Sequence, residues 1–136
     1  MADLLEEATR LWNDRDRTAY RDCYTDDAEL VAPGFGGKGH EAVLEFWDEN
    51  MTGFPDNRVV VDRAVVHGDV LVEESRFEGT NTGPLAGPDG APIPATGRSV
   101  SVPFAGIHVV RDGRIASTHF YWDSYDMLGQ LGLLDG

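Results

Sequence analysis

Apolar residues recur at helical spacing through residues 2–24 of the chain, a pattern that predicts helices with one buried side. The polar stretch at residues 13–16 interrupts this pattern. We therefore predict two helices, with Asp16 as the N-cap of the second and residues 25–27 at its end.

Two further helices are predicted later in the chain. Residues 40–51 place apolar side chains along one side of a helix. Residues 124–134 form a short final helix, with Asp123 at its N-cap position. The glycine-rich segment at residues 33–39 is expected to be a loop, and it is not a Walker phosphate loop because no Ser or Thr follows its Gly-Lys pair.

The rest of the chain has the alternating pattern of β-strands. The pair Asp112–Gly113 is a strong signal for a tight turn between two of them, and a loop rich in glycine and proline covers residues 79–97. Helices followed by a meandering antiparallel sheet indicate an α+β fold. The predicted strands are residues 28–32, 59–66, 70–78, 100–110 and 114–122.

Composition narrows the possible functions. A chain of 136 residues favours one domain, here residues 1–136, and 41% hydrophobic residues are too many for a disordered protein. The formal net charge of -13 disfavours nucleic acid and anionic membranes as partners, because both require a basic surface.

Other classes of protein are disfavoured by the motifs that the chain lacks. One cysteine, Cys23, allows no internal disulfide and gives no zinc pattern. The sequence has no HExxH spacing and no GxGxxG after a strand, so we expect neither a metal nor a dinucleotide cofactor. No apolar run is long enough to cross a bilayer and no signal peptide is evident, so a cytoplasmic location is expected.

The last third of the chain, GIHVVRDGRIASTHFYWDSYDMLGQLGLL, resembles the C-terminal block of SnoaL-like proteins. In that block a strand leads into Asp-Gly-Lys/Arg-Ile, a second strand ends in an aromatic and aspartate cluster, and a Gln-Leu-Gly helix follows. The segments LWNDRD, FPDNRVVVDRAVVHGD and FEGTNTGPL also resemble parts of these proteins. The resemblance implies the nuclear transport factor 2-like fold, a cone-shaped curved antiparallel sheet wrapped by N-terminal helices around a hydrophobic pocket. Its relatives include polyketide cyclases, limonene-epoxide hydrolases and ketosteroid isomerases, but this fold also has members that are not enzymes.

Strand alternation assigns the faces of residues 71–78. Glu73 is expected on the inner face among apolar neighbours, where a carboxylate loses hydration and becomes a candidate general acid or base. The alternatives are a position near the rim of the cone or a pair with a buried arginine. The predicted inner set is Leu71, Glu73, Ser75 and Phe77.

Pairing about the Asp112–Gly113 turn places His108 opposite Thr118 and Gly106 opposite Phe120. The resemblance assigns this face to the pocket, so His108 is the leading candidate for proton transfer, because imidazole exchanges protons near neutral pH. The alternative is a core histidine with satisfied hydrogen bonds. A His108–Glu73 pair across the pocket would favour catalysis.

The remaining candidate residues concern substrate binding. The resemblance implies that Tyr24, Phe104 and Trp122 form an aromatic wall beside Phe77 and Phe120, suited to a flat or hydrocarbon ligand. The hydroxyl groups of Tyr24, Ser75 and Thr118 are candidates for binding a developing enolate oxygen.

One position departs from the family pattern. In the cyclases and epoxide hydrolases, an aspartate does acid–base work at the position that Phe120 occupies here. Asp123 matches a second acidic position, where it is either catalytic or simply the cap of the final helix. His119 and Tyr121 lie on the opposite face, where related proteins often pack against a second subunit, so a homodimer is expected.

These observations lead to alternative functions. The first is a cofactor-independent isomerase, cyclase or hydratase acting on a small hydrophobic carbonyl or polyketide-like compound, with His108, Glu73 and Asp123 as catalytic candidates. The second is a protein of the same fold that binds a small hydrophobic ligand, or acts as an accessory module, without catalysis. The third is a protein-interface role, which predicts a pocket filled by the chain's own side chains.

Overall fold

Six strands form one sheet in the computed structural model, which describes residues 1–134. Four helices accompany the sheet in this part of the chain, and the predicted α+β architecture is confirmed. The helices are α1 Ala2–Asn13, α2 Arg17–Asp22, α3 Gly39–Gly53 and α4 Ser124–Gln130. The strands are β1 Tyr24–Ala32, β2 Phe35–Lys38, β3 Arg58–His67, β4 Val70–Thr80, β5 Ser99–Arg111 and β6 Arg114–Trp122.

The strand order in the sheet is β2-β1-β6-β5-β4-β3. All neighbouring strands are antiparallel except β1 and β6, which run parallel. The curved sheet does not close, and β4, β5 and β6 are three adjacent inner strands. These central strands carry the residues of the candidate site.

The turn between β5 and β6 fixes the register of the site. Asp112 and Gly113 both have positive φ, at 53° and 77°, as a two-residue type I′ hairpin turn requires. The predicted pairs are present, with His108 opposite Thr118 and Gly106 opposite Phe120.

The helices cover one face of the sheet through an aromatic core. Asp16 is the N-cap of α2, as predicted, and its side chain accepts a hydrogen bond from the Ala19 amide. The Trp12 ring packs edge-on against Tyr20 and Trp47, with ring centres 5.2 and 5.1 Å apart. Its indole N–H donates to the buried Asn57 amide oxygen at 2.7 Å, so this large ring is buried without losing its hydrogen bond. No helix in residues 1–134 is long and apolar enough to cross a membrane.

Three predicted boundaries were wrong. β1 begins at Tyr24, before the predicted residue 28, because Tyr24 pairs with Ile115 of β6 and leaves the helical path. The predicted loop at residues 33–39 contains β2, which forms a hairpin with β1. The final helix ends at Gln130, and Gly132 beyond it has a φ of 75°, which is incompatible with a right-handed helix.

Candidate active site

A cavity lies between the helices and the covered face of the sheet. The space open to the centres of water-sized molecules measures about 90 Å³. This volume is large enough for a small ring compound and not only for a single water molecule. The pocket is therefore not filled by the chain's own side chains, contrary to what the protein-interface hypothesis predicts. Its apolar lining comprises Leu5, Ala8, Trp12, Phe46, Val59, Phe77, Val102, Phe104, Ile115, Phe120, Trp122 and Met127, and its polar lining comprises Thr9, Tyr20, Tyr24, Asn50, Glu73 and His108.

Charge is sparse in this cavity. Among the described lining residues, Glu73 is the only carboxylate and no lysine or arginine is present. No three His, Cys, Asp or Glu side chains within residues 1–134 come together as a potential metal site. An uncharged, largely apolar ligand fits such a lining best.

Glu73 faces the cavity from β4, as the alternation predicts. Glu73 is only 3% exposed, which excludes a position at the rim of the cone. The Ser75 hydroxyl donates to Glu73 Oε1 at 2.7 Å, and His108 Nε2 lies 2.5 Å from Glu73 Oε2. The partner is therefore a histidine rather than the arginine considered as an alternative. A carboxylate has about four acceptor positions, so Glu73 can still accept a proton from a ligand.

His108 lies beside Glu73 on β5, with both of its ring nitrogens engaged. Nδ1 is 2.7 Å from the Thr118 hydroxyl, and Nε2 contacts Glu73. Carboxylate oxygens and unprotonated ring nitrogens are both acceptors, so a proton must lie between Nε2 and Oε2. Direct proton transfer between His108 and a ligand would break one of these contacts, so the geometry favours a role in orienting Glu73.

Gly106 provides the space in which this pair sits. A Cβ atom at this position would lie 2.9 Å from His108 Nε2 and 3.0 Å from Glu73 Oε2. Both distances are below ordinary van der Waals contact, so even alanine would press on the hydrogen bond. The absence of a side chain here lets Glu73 and His108 meet on adjacent strands.

Two tyrosines add hydroxyl groups to the site. The Tyr20 and Tyr24 hydroxyls are 2.8 Å apart, and both residues are buried. Burial raises the pKa of both phenols, and each is raised further by its proximity to Glu73. Both groups therefore keep their protons at neutral pH and remain able to donate hydrogen bonds.

Phe120 closes the aromatic wall of the cavity. Its ring stacks on Phe46 with an interplanar angle of 16° and a centre distance of 5.6 Å. Phe104 and His108 meet the same ring edge-on. The position that the family resemblance associates with an aspartate is thus an apolar surface in contact with His108.

The remaining predicted residues divide into three groups. Tyr24, Phe77 and Trp122 line the cavity as expected. Ser75 and Thr118 are buried behind Glu73 and His108 and do not line it, so the structure places them as hydrogen-bond partners of the pair rather than of a ligand. Asp123 is exposed and caps α4 through a hydrogen bond from the Asp126 amide, outside the lining of the cavity.

Sequence reasoning missed all eight of the described lining residues that lie on helices. Trp12, Tyr20, Phe46 and Asn50 point into the cavity, but the helical pattern identified only a buried side. A signal was present for Tyr20, which lies four residues before Tyr24 on the buried side of its segment.

Comparison with known proteins agrees with this fold. The solved structure of TsrD from Streptomyces laurentii superimposes with a TM-score of 0.84 at 27% identity, covering 98% of this chain and 95% of that one. IdmH from Streptomyces antibioticus, described as a candidate polyketide cyclase, gives a TM-score of 0.79 at 27% identity, with 96% and 97% covered. A nuclear transport factor 2-like protein of unknown function from Burkholderia pseudomallei K96243 gives 0.78 at 19% identity, with 96% and 95% covered.

Because the Burkholderia protein is less than 25% identical to this chain, the likeness concerns the fold alone. It confirms the nuclear transport factor 2-like fold that was predicted from the sequence. No curated protein matches the chain significantly. The family model described as the SnoaL-like domain matches residues 5–118, which is most of the chain. This protein therefore belongs to the SnoaL-like domain family.

Proposed function

We propose that this protein is a cofactor-independent acid–base enzyme of the isomerase, cyclase or hydratase type that acts on a small hydrophobic carbonyl compound. One observation carries the proposal: a carboxylate, Glu73, is held by two hydrogen bonds inside an apolar and aromatic cavity with room for a ligand. Carboxylates in such surroundings are typical of sites that remove a proton from carbon.

The contacts assign roles within this proposal. Glu73 takes a proton from the carbon next to a carbonyl group, and the electrons of the broken C–H bond form an enolate. Ser75 and His108 hold the carboxylate in position, so the cost of orienting it is met during folding. Return of the proton to another carbon gives isomerisation, and attack of the enolate on a second carbonyl gives cyclisation.

The lining and the relatives support this choice of substrate class. A lining with no lysine or arginine among the described residues suits an uncharged carbonyl compound better than a carboxylate or phosphate. IdmH, at 27% identity, is described as a candidate polyketide cyclase. The family relationship adds to the geometric argument but does not determine the substrate.

The test is exchange of carbon-bound hydrogen. The protein is incubated in D2O with a panel of cyclohexenones and cyclohexanones, and deuterium incorporation is measured by mass spectrometry. General acid–base catalysis contributes roughly 10²- to 10⁴-fold, so Glu73→Gln is expected to slow exchange by at least about 100-fold.

Glu74→Gln is the matched control, because Glu74 is the adjacent residue on the exposed face of β4, paired with Arg63. Exchange at the wild-type rate is expected in this variant. The proposal is wrong if Glu73→Gln and wild type catalyse exchange equally, or if panel ketones bind to the cavity and none exchanges.

A non-catalytic function is the alternative, and Phe120 favours it. Its ring replaces the expected aspartate with an apolar surface stacked on Phe46, which improves the binding of hydrocarbon ligands and removes one proton carrier. Binding of a panel ketone without exchange would support a ligand-binding protein of the same fold.

A further inference from the structure

The first helix supplies a large part of the cavity wall. Half of the eight described lining residues that lie on helices belong to α1, namely Leu5, Ala8, Thr9 and Trp12. Leu5 and Ala8 are each only 5% exposed, so α1 covers the cavity on this side. Whether a ligand can pass on this side depends on how firmly α1 is attached.

The C-terminal end of α1 is fixed to the start of β3 by polar contacts. The Trp12 indole donates to Asn57 Oδ1 at 2.7 Å. The Asn13 side chain donates to the Val59 carbonyl and accepts from the Val59 amide, both at 2.9 Å. The Arg15 guanidinium, just beyond the helix, donates to the Asn57 carbonyl at 2.7 Å. These hydrogen bonds hold this end of the helix in place.

The N-terminal part of α1 has no such contacts. Among the described residues, no hydrogen bond or ion pair joins residues 2–11 to any residue beyond Asp16. Met1 gives the helix no side-chain cap, which leaves its first turn less stable. Leu4, Leu5 and Ala8 hold this part of the helix by apolar packing alone. A segment attached in this way opens at a lower free energy than the core does.

α1 is also separate from the other helices that cover the cavity. Arg15 has a φ of 64°, in the left-handed region, so the helical path is broken between α1 and α2. α4, by comparison, has Met127 as its one described lining residue. The Gln130 side chain ties α4 to β5 through two hydrogen bonds with the Ser101 backbone, at 2.7 and 2.9 Å. α1 can therefore pivot as a separate rod, whereas α4 is held at its end.

We propose that α1 is a lid that pivots about its fixed end to admit a ligand and then closes over it. Leu5 lies seven residues from Trp12, about 10 Å along the helix axis, so a rotation of roughly 20° moves it by roughly 3–4 Å. Closure returns Leu5, Ala8 and Thr9 to the ligand and keeps bulk water from Glu73. The inference goes beyond the proposed function, because it holds for a ligand that reacts and for one that is only bound.

The test measures how often the cavity opens, with no ligand present. Val102→Cys places a thiol in the cavity lining on β5, where Val102 is 1% exposed, and Cys23→Ala removes the single native thiol. Labelling by iodoacetamide is followed by mass spectrometry, and its rate is proportional to the open fraction. Ile115→Cys, on β6, provides a second labelling position in the lining, and both thiols are expected to respond alike.

Leu4→Ala loosens the lid without altering the cavity. Leu4 is half-buried and packs against the core, but it does not line the cavity. Loss of its apolar contacts is expected to raise the open fraction and to speed labelling by at least about 5-fold. Leu85→Ala is the matched control, because Leu85 is also half-buried against the core and outside the lining, in the loop after β4. Labelling at the parent rate is expected in this control.

The inference is overturned if Leu4→Ala leaves the labelling rate unchanged, or if Leu85→Ala raises it as much, because the whole molecule would then be opening. Labelling of the parent thiol as fast as in guanidinium also overturns it, because the cavity would be open without movement of the lid. Circular dichroism establishes that each variant is folded. No turnover is measured, so failure of this test is distinguishable from failure of the deuterium-exchange test.

Discussion

A methyl group at position 106 provides a test of how tightly the Glu73–His108 pair is fitted. In Gly106→Ala, the new Cβ would lie 2.9 Å from His108 Nε2, 3.0 Å from Glu73 Oε2 and 3.1 Å from Glu73 Cγ. Three close contacts fall on the two partners of one hydrogen bond. Glu73 is also hydrogen-bonded to Ser75 and His108 to Thr118, so moving either side chain into the cavity to avoid the methyl group strains or breaks a hydrogen bond.

The expected cost follows from these distances. Overpacking by a single methyl group in a well-packed interior costs about 1–3 kcal/mol. In a chain of this length, 1 kcal/mol lowers Tm by roughly 4 °C. We therefore expect Gly106→Ala to lower Tm by roughly 4–12 °C and to reduce deuterium exchange, because the carboxylate is displaced from its partners.

The assay is thermal denaturation followed by circular dichroism, with Gly36→Ala as the control. Gly36 lies on β2, and no heavy atom lies within 4 Å of a Cβ built there. This variant is expected to change the free energy of unfolding by less than about 0.5 kcal/mol. Equal stability of the Gly106 and Gly36 variants would refute the close fit of the pair.

Three further results are expected. Burial raises the pKa of the Cys23 thiol, so a disulfide reagent at pH 7.5 should react slowly with folded protein and rapidly after unfolding in guanidinium; equal rates would contradict burial. Asp123→Ala removes the α4 cap and should lower the free energy of unfolding by about 1 kcal/mol in urea denaturation. Deuterium exchange should be unchanged in this variant, and a loss of exchange would show that Asp123 takes part in the chemistry. The outer face of the sheet carries a row of exposed apolar residues, Val31, Ile107 and Val65. If the expected homodimer forms through this row, the Ile107→Lys variant should sediment as a monomer. Unchanged sedimentation would place the interface elsewhere.

Local sequence rules were sufficient to predict the sheet residues of the site. Strand alternation put Glu73 inside because Glu74, Arg76 and Glu78 occupy the other face. The Asp112–Gly113 turn then fixed which residue lies opposite His108. Side-chain direction and register in a hairpin depend on near neighbours, so both can be read from sequence.

The helical part of the site could not be predicted in the same way. Which residues of α1, α2 and α3 reach the cavity depends on how each helix is rotated against the sheet, and this is decided by packing between distant residues. Tyr20 is the main example, because its position in the cavity depends on Trp12 and Trp47 packing against its ring. Sequence reasoning placed Thr118 opposite His108 and raised the pair with Glu73, but only the distances show that both ring nitrogens of His108 are engaged.

The central claim is that Glu73 transfers the proton while His108 positions it. The most direct measurement is the rate of deuterium incorporation into a panel ketone catalysed by Glu73→Gln and by His108→Gln. We predict that Glu73→Gln loses at least about 100-fold, while His108→Gln retains measurable exchange because its amide can still donate to the carboxylate. The reverse order, with exchange surviving in Glu73→Gln and abolished in His108→Gln, would contradict the assignment and make His108 the base.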